Sequence, residues 1–194
     1  MEPLRVGICG LGTVAQGVLD VLRRNARGIA QRAGREIAVV AVASRTPKPE
    51  VDLGGATFST DVHALAARDD LDVVVELIGG EDTALSLVET ALGNGTSVVT
   101  GNKAIVALHG EGLFALARAN AAHLGFEAAV AGSIPIIATL TDALAGNEHD
   151  WLAGIINGTS NFILSAMAGE GQAFADALAR AQELGYAEAD PTFD

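Results

Sequence analysis

At 194 residues, 49% hydrophobic but only 4% aromatic, the chain is long enough for one domain or a domain and a fraction, with a core of Ala, Val, Leu and Ile of the kind that packs helices on a parallel sheet. A net charge of −12 with no dense Lys/Arg cluster argues against nucleic acid as the main partner, and the single cysteine, Cys9, rules out an intramolecular disulfide framework. The start "MEPLRVGICG" lacks the features of a secretory leader, and the uncharged stretch from Ala128 to Thr141, about fourteen residues, falls short of the roughly 18 that span a bilayer, so a cytoplasmic protein without membrane contact is expected.

In chain order, "LRVGIC" from Leu4 reads as a buried strand, and the glycine turn after it opens a helix with Val14, Val18, Leu19, Val21 and Leu22 at helical spacing. A Gly-, Arg- and Gln-containing segment, Asn25 to Arg35, separates this helix from a second strand, "EIAVVAVAS", after which Pro47 and Pro49 interrupt regular structure. A short helix is expected over Asp61 to Ala67, a strand at "LDVVVELIGG", a helix over Thr83 to Leu92 closed by Asn94 and Gly95, and a strand at "TSVVTG". An Ala-rich helix over Gly112 to Ala122 leads to the strand "GFEAAVAG", and Ser133 is placed to cap a helix running from Ile134 to Gly146. Beyond it, "DWLAGIING" reads as a strand, "TSNFILSAMAGEG" as a helix, and Phe174, Ala177, Leu178, Ala181 and Leu184 as the stripe of a last helix stopped by Gly185. Alternation at this spacing predicts an α/β fold, a Rossmann-like doubly wound parallel sheet over 1–135, with an incomplete second α+β domain over 136–194.

Gly10, Gly12 and Ala15 form G-x-G-x-x-A between an expected strand and an expected helix. That pattern supplies a tight turn, backbone approach to a pyrophosphate, and close helix packing. The second strand ends in Ser44, Arg45, Thr46 and, shortly after, Lys48, with no carboxylate to accept from ribose hydroxyls, so the 2′-phosphate of NADP is the better fit. Gly79 and Gly80 follow one strand and Thr100, Asn102 and Lys103 the next, at the edge where open sheets bind ligands. Lys103 there could bind an anionic substrate or move protons, or simply be a surface lysine at a helix start. "EAAVAGSIP", Glu127 to Pro135, reads by composition as a structural turn, with a small-cation site of carbonyls and one carboxylate as the alternative, and "NGTSN" reads as a helix cap by Thr159 or Ser160. The histidines show no metal-ligand spacing, and no nucleophile motif is present.

The strings "GICGLGTVAQGV", "VVVELIGG", "VVTGNKAIVALHG", "FEAAVAGSIPII", "GIINGTSNFIL" and "AQELGYAEADPTFD" together resemble homoserine dehydrogenase over essentially the whole chain. The resemblance implies NAD(P)H-dependent reduction of L-aspartate 4-semialdehyde to L-homoserine, in threonine and methionine biosynthesis, by a protein that is a homodimer at full length. It implies a pyrophosphate turn at Gly10, Leu11, Gly12, Thr13 and Val14 and cofactor contacts at Arg45, Lys48, Lys103 and Gly185, to which the strand-edge positions add Gly79 and Thr100, and the cations after the second strand add a preference for NADP(H) over NAD(H). Lys103 and Glu188 take the catalytic positions, while Thr159, Glu188 and Asp194 take those of substrate binding. Glu127, Val130, Gly132 and Ile134 take a monovalent-cation site, sodium, formed largely by carbonyls. The chain departs from the pattern at Gly101 and Ser133, where the family more often has Ala and Gly. The family motif also runs on past Asp194 to a further Asp and Lys, so the resemblance implies a cofactor domain plus the first part of a substrate domain. Two alternatives are a module that holds NADP(H) without turnover and a related amino-acid dehydrogenase on the same cofactor domain.

Overall fold

A computed structural model describes residues 2–155 and 157–187. It divides into two compact units, Met1–Ala145 and Gly146–Asp194. The first is built on a six-stranded sheet of order β3-β2-β1-β4-β5-β6, formed by β1 (Leu4–Cys9), β2 (Ile37–Ala43), β3 (Thr57–Ser59), β4 (Val73–Glu76), β5 (Ser97–Thr100) and β6 (Leu124–Gly125). Every pairing is parallel. The chain order reverses between β1 and β4, which is the doubly wound arrangement expected from the alternating pattern.

Helices cover both faces because strands of period two send side chains both ways. On one face Val6, Ile8 and Val42 meet Leu11 and Ala15, the latter on α1 (Thr13–Arg24). The stripe expected along α1 is only partly inward, since Val14 is 64% exposed at the helix start. On the other face Cys9, Val74 and Val98 pack against Leu65 of α3 (Val62–Ala66), Leu87, Val88 and Leu92 of α4 (Asp82–Gly93), and Ile105 and Leu113 of α5 (Lys103–Ala119). Side chains cap two of these helices: Asp61 accepts from the Ala64 amide, and Asn102 from Ala104 and Ile105.

Three local expectations need correction, and one helix is added to them. The added helix is α2 (Ala26–Ala33), in the segment before β2, which stops at Gly34, φ 74°. The strand expected at "GFEAAVAG" keeps only Leu124–Gly125, because Phe126 turns to meet Phe114 edge-on at 5.1 Å and Glu127–Ala129 forms a 3₁₀ turn. The helix after Ser133 is a short α6 (Ile136–Ala138) widened into a π turn over Thr139–Ala143. Its cap is not Ser133 but the Glu127 carboxylate, which accepts from the Ile137 and Ala138 amides at 2.9 and 2.8 Å. The Thr139 and Thr141 hydroxyls donate back to the Pro135 and Ile137 carbonyls, a bond pattern that competes with the regular helix. The described part of "DWLAGIING" forms no strand, and Trp151, Leu152 and Ile155 are exposed. A strand exists only through a neighbour's amides and carbonyls, and no described segment pairs with this one.

The second unit is a helical hairpin, α7 (Gly158–Glu170) and α8 (Phe174–Glu183), closed over Ile163, Ala166, Ala177, Ala181 and Ala187. No helix among the described residues is long and apolar enough to cross a membrane.

Cys9 is buried, and its thiol points at the Val62 carbonyl, 3.8 Å away. Burial, and secondarily the charge of Glu76, push its pKa up to about 12. A pKa raised on folding favours the protonated native state, so that contribution is complete below the ordinary thiol value of about 8.5 and disappears as pH rises through the folded value. In the native chain Cys9 is therefore expected to resist a thiol-titrating disulfide reagent at pH 8 and to react at once in concentrated urea, as followed by absorbance; rapid titration without urea would contradict the buried placement.

Candidate cofactor and substrate site

The site begins with Gly10. Its amide donates to the Ala43 carbonyl at the end of β2, while the Leu77 amide, just past β4, donates to the Cys9 carbonyl. The turn is thus held between the strands on either side of the switch point. Gly10 has φ 106°, and a Cβ there would lie 2.5 Å from the Leu77 carbonyl oxygen, so no other residue fits without moving the backbone. Gly12 differs: a Cβ added to it meets nothing within 4 Å, because the space before it is open. Leu11 is buried and anchors the turn, and Gln16 donates to its carbonyl. Helix α1 starts with no side-chain cap and no acidic residue in its first turn. The amides of Thr13 and Val14 therefore face solvent at the positive end of the helix dipole, the arrangement that receives an anion. The residues present fit a dinucleotide pyrophosphate.

At the end of β2, Arg45 is exposed and Lys48 partly exposed, and neither has an ion-pair partner among the described residues. At the end of β4, Glu76 is fully buried. Its Oε1 accepts from the Ile78 and Gly79 amides at 2.9 and 3.2 Å, and its Oε2 from the Thr100 hydroxyl at 2.5 Å. Thr100 in turn accepts from the Asn102 amide at 3.0 Å, and the Asn102 side chain donates to the Gly80 carbonyl at 2.6 Å. Gly79 and Gly80, φ 68° and 75°, make the left-handed turn that this ring of bonds encloses. Thr100 is itself fully buried, so its hydroxyl serves Glu76 and Asn102. Lys103, the first residue of α5, is exposed directly beside the Asn102 cap.

The turn from Glu127 to Ile134 runs through Ala131 and Gly132, φ 55° and 60°. The carbonyls of Glu127 and Ile134 accept from the Val130 and Ile136 amides. Among the described residues no cluster of three His, Cys, Asp or Glu could hold a metal. The Glu127 carboxylate beside this turn is engaged by the Ile137 and Ala138 amides.

In the second unit the helix cap at "NGTSN" is Asn157, whose side chain accepts from the Ser160 amide at 2.7 Å; the expectation of Thr159 or Ser160 is corrected. Thr159 is buried and donates instead to the Tyr186 carbonyl at 2.5 Å. Gly185, φ 77°, reverses the chain after α8, and the amides of Tyr186 and Ala187 both donate to the Ala181 carbonyl. Glu188 and Asp194 lie outside the described residues. Within the first unit the structure brings together the Gly10–Val14 turn, Gly79, Thr100 and Lys103 along the carboxyl ends of the strands. Glu76 was missed from the sequence, although a carboxylate closing the apolar run "VVVE" was a usable signal: a buried charge must find several donors.

Residues 10–127 match the family model described as homoserine dehydrogenase, NAD binding domain, and residues 135–194 match that of homoserine dehydrogenase. Over the whole chain, 55% of residues are identical to a homoserine dehydrogenase of Pseudomonas aeruginosa and 50% to one of Neisseria gonorrhoeae. The chain spans 45% of the length of each of these relatives. The crystal structure of a homoserine dehydrogenase from Thiobacillus denitrificans superposes with a TM-score of 0.93 at 54% identity, covering 100% of this chain and 45% of that one. A hyperthermophilic archaeal homoserine dehydrogenase in complex with NADPH superposes at 0.84 with 27% identity, covering 100% of this chain and 65% of the other. A strand order that reverses at Gly10, an uncapped helix start facing open space, and family matches over both units have one reading: the chain carries a dinucleotide-binding domain and belongs to the homoserine dehydrogenase family.

Proposed function

We propose that the chain binds NADP(H) and takes part in reducing L-aspartate 4-semialdehyde to L-homoserine, in the cytoplasm and as part of a homodimer. The observation that carries this is the Gly10 turn, pinned between the ends of β2 and β4 with the amides of α1 open beyond it. In this reading the backbone from Gly10 to Val14 holds the pyrophosphate, and Arg45 and Lys48 meet the 2′-phosphate. The cofactor, when bound, supplies the hydride that goes to the aldehyde carbon. The chain's part is to hold the substrate and to stabilise the charge that develops on the aldehyde oxygen. Lys103 is assigned that charge, because its ammonium stands exposed at the start of α5 on the ligand edge. Gly185 is assigned a cofactor contact, and Thr159, Glu188 and Asp194 the substrate's polar groups. Thr159 acts through the Tyr186 carbonyl that it holds, two residues before Glu188. The turn at Glu127, Val130, Gly132 and Ile134 is assigned a sodium ion, which would stiffen the segment after β6.

Fluorescence titration is expected to show tighter binding of NADPH than of NADH, since no carboxylate follows β2 and two cations do. The reverse order would remove Arg45 and Lys48 from the site. Gly10→Ala, which drives a methyl into the Leu77 carbonyl, should weaken NADPH binding by about tenfold or more, given that one misplaced backbone group costs on the order of 1–3 kcal/mol; unchanged affinity would place the cofactor elsewhere. A coupled assay of this chain beside a version extended through the Asp and Lys of the family pattern separates an enzyme from a binding module. The extended chain is expected to turn over aspartate semialdehyde at least about a hundredfold faster, the usual contribution of a general acid or base. Equal rates would show that the 194 residues suffice.

A further inference from the structure

Glu76 is the one charged residue that closes a central strand; β1 ends in Cys9, β2 in Ala43 and β5 in Thr100. A carboxyl group with no exposure is costly unless donors meet it. Its bonds show what the carboxylate does. One oxygen gathers the amides of Ile78 and Gly79 and the other holds the Thr100 hydroxyl, so the ends of β4 and β5 are tied across 24 residues of sequence. From Thr100 the path continues to the Asn102 amide, and from the Asn102 side chain back to the Gly80 carbonyl, closing a ring around the Gly79-Gly80 turn. The same Asn102 caps α5 on the Ala104 and Ile105 amides, with Lys103 between them. The hydrogen bonds of this ring all run among residues of β4, β5 and the turns that follow them, although Glu76 also lies beside Cys9 in the sheet, and in a doubly wound sheet each half takes one mononucleotide.

We propose that Glu76 is a positioning residue for the nicotinamide half of the cofactor. Its carboxylate fixes the Gly79-Gly80 turn and, through Thr100 and Asn102, the start of α5 that presents Lys103. A neutral amide keeps the shape but cannot accept on both oxygens, so Glu76→Gln breaks either the turn contacts or the Thr100 contact. Thr100→Val cuts the link to Asn102 and leaves Glu76 on its two amides.

The inference rests on the dinucleotide reading of the same site, and the test keeps the two apart. Wild type, Glu76→Gln and Thr100→Val are titrated with NADPH and with 2′-phospho-ADP-ribose, which keeps the adenosine phosphate and pyrophosphate but lacks the nicotinamide. Glu76→Gln should bind NADPH about tenfold more weakly, the scale of a charge-assisted hydrogen bond, and Thr100→Val about threefold more weakly. Both should hold 2′-phospho-ADP-ribose within about twofold of wild type, since the substitutions leave the backbone bonds that hold the Gly10 turn, to Ala43 and from Leu77, in place. Should Glu76→Gln not fold, the Thr100→Val comparison decides. Equal loss of both ligands would mean that the ring only holds the fold together, and unchanged NADPH binding would mean that it positions nothing; either overturns the inference and leaves the cofactor reading intact. A wild-type chain that binds neither ligand overturns both.

Discussion

The contact on which the site depends is the approach of Gly10 to the Leu77 carbonyl. With a Cβ excluded at 2.5 Å, the turn after β1 can lie flat against the end of β4 while its amide bonds to Ala43 of β2. A parallel sheet brings all its strand ends to one edge, and where the order reverses the connections depart to opposite faces and leave a crevice. Gly10 keeps that crevice clear of side chain, and Leu11 and Ala15, both buried, fix the direction in which α1 leaves it. The amides at the start of α1 have no internal acceptor by the geometry of a helix, and the chain supplies no side chain for them. The vacancy for an anion follows from backbone geometry before any charged residue is considered.

This explains which parts of the site can be read from the sequence. The spacing of Gly10, Gly12 and Ala15 encodes a backbone requirement, so the pattern carries its meaning without tertiary context. The strand-helix alternation predicts the sheet for the same reason, since periods of 2 and 3.6 are local. What escapes is set by distant partners. Glu76 sits in an apolar run, and only the packing of β5 beside β4 reveals that Thr100 waits for its second oxygen. The cap of α6 comes from Glu127, some ten residues earlier by the register of the bonds, and no local capping rule would find it. The strand expected at 150–158 is absent among the described residues for the opposite reason: its short apolar run suits a strand, but strand structure belongs to a pair.

Thr159, a substrate position only by resemblance, holds a backbone group in the structure. Its hydroxyl holds the Tyr186 carbonyl, the Tyr186 ring lies 5.0 Å from that of Phe162, and Arg180 stacks over Phe162 at 5.7 Å while pairing with Glu170. With Gly185 reversing the chain onto Ala181, these contacts fix the course of the backbone up to Ala187. The apolar cluster of the hairpin of α7 and α8 is small and rich in alanine, which lets the two helices approach closely.

Charge placement is the remaining constraint, because a chain of net charge −12 repels an anionic cofactor at long range. The arginines at the amino-terminal edge of the sheet are neutralised: Arg5 and Arg68 both pair with Asp70, and Arg35 with Asp72. Asp70 is held well below the usual carboxylate range by Arg68 and then Arg5, so these pairs persist through neutral pH and loosen only in acid. At the opposite edge Arg45, Lys48 and Lys103 have no carboxylate partner among the described residues. The carboxylate that closes β4, Glu76, is buried and turned inward onto amides and a hydroxyl, and Glu81 beyond it pairs with His109. The charge of Glu76 is screened by the donors it holds, while the cations stand in solvent. The same chain is therefore acidic as a whole and locally receptive to phosphate at the edge where the start of α1 has no side-chain cap.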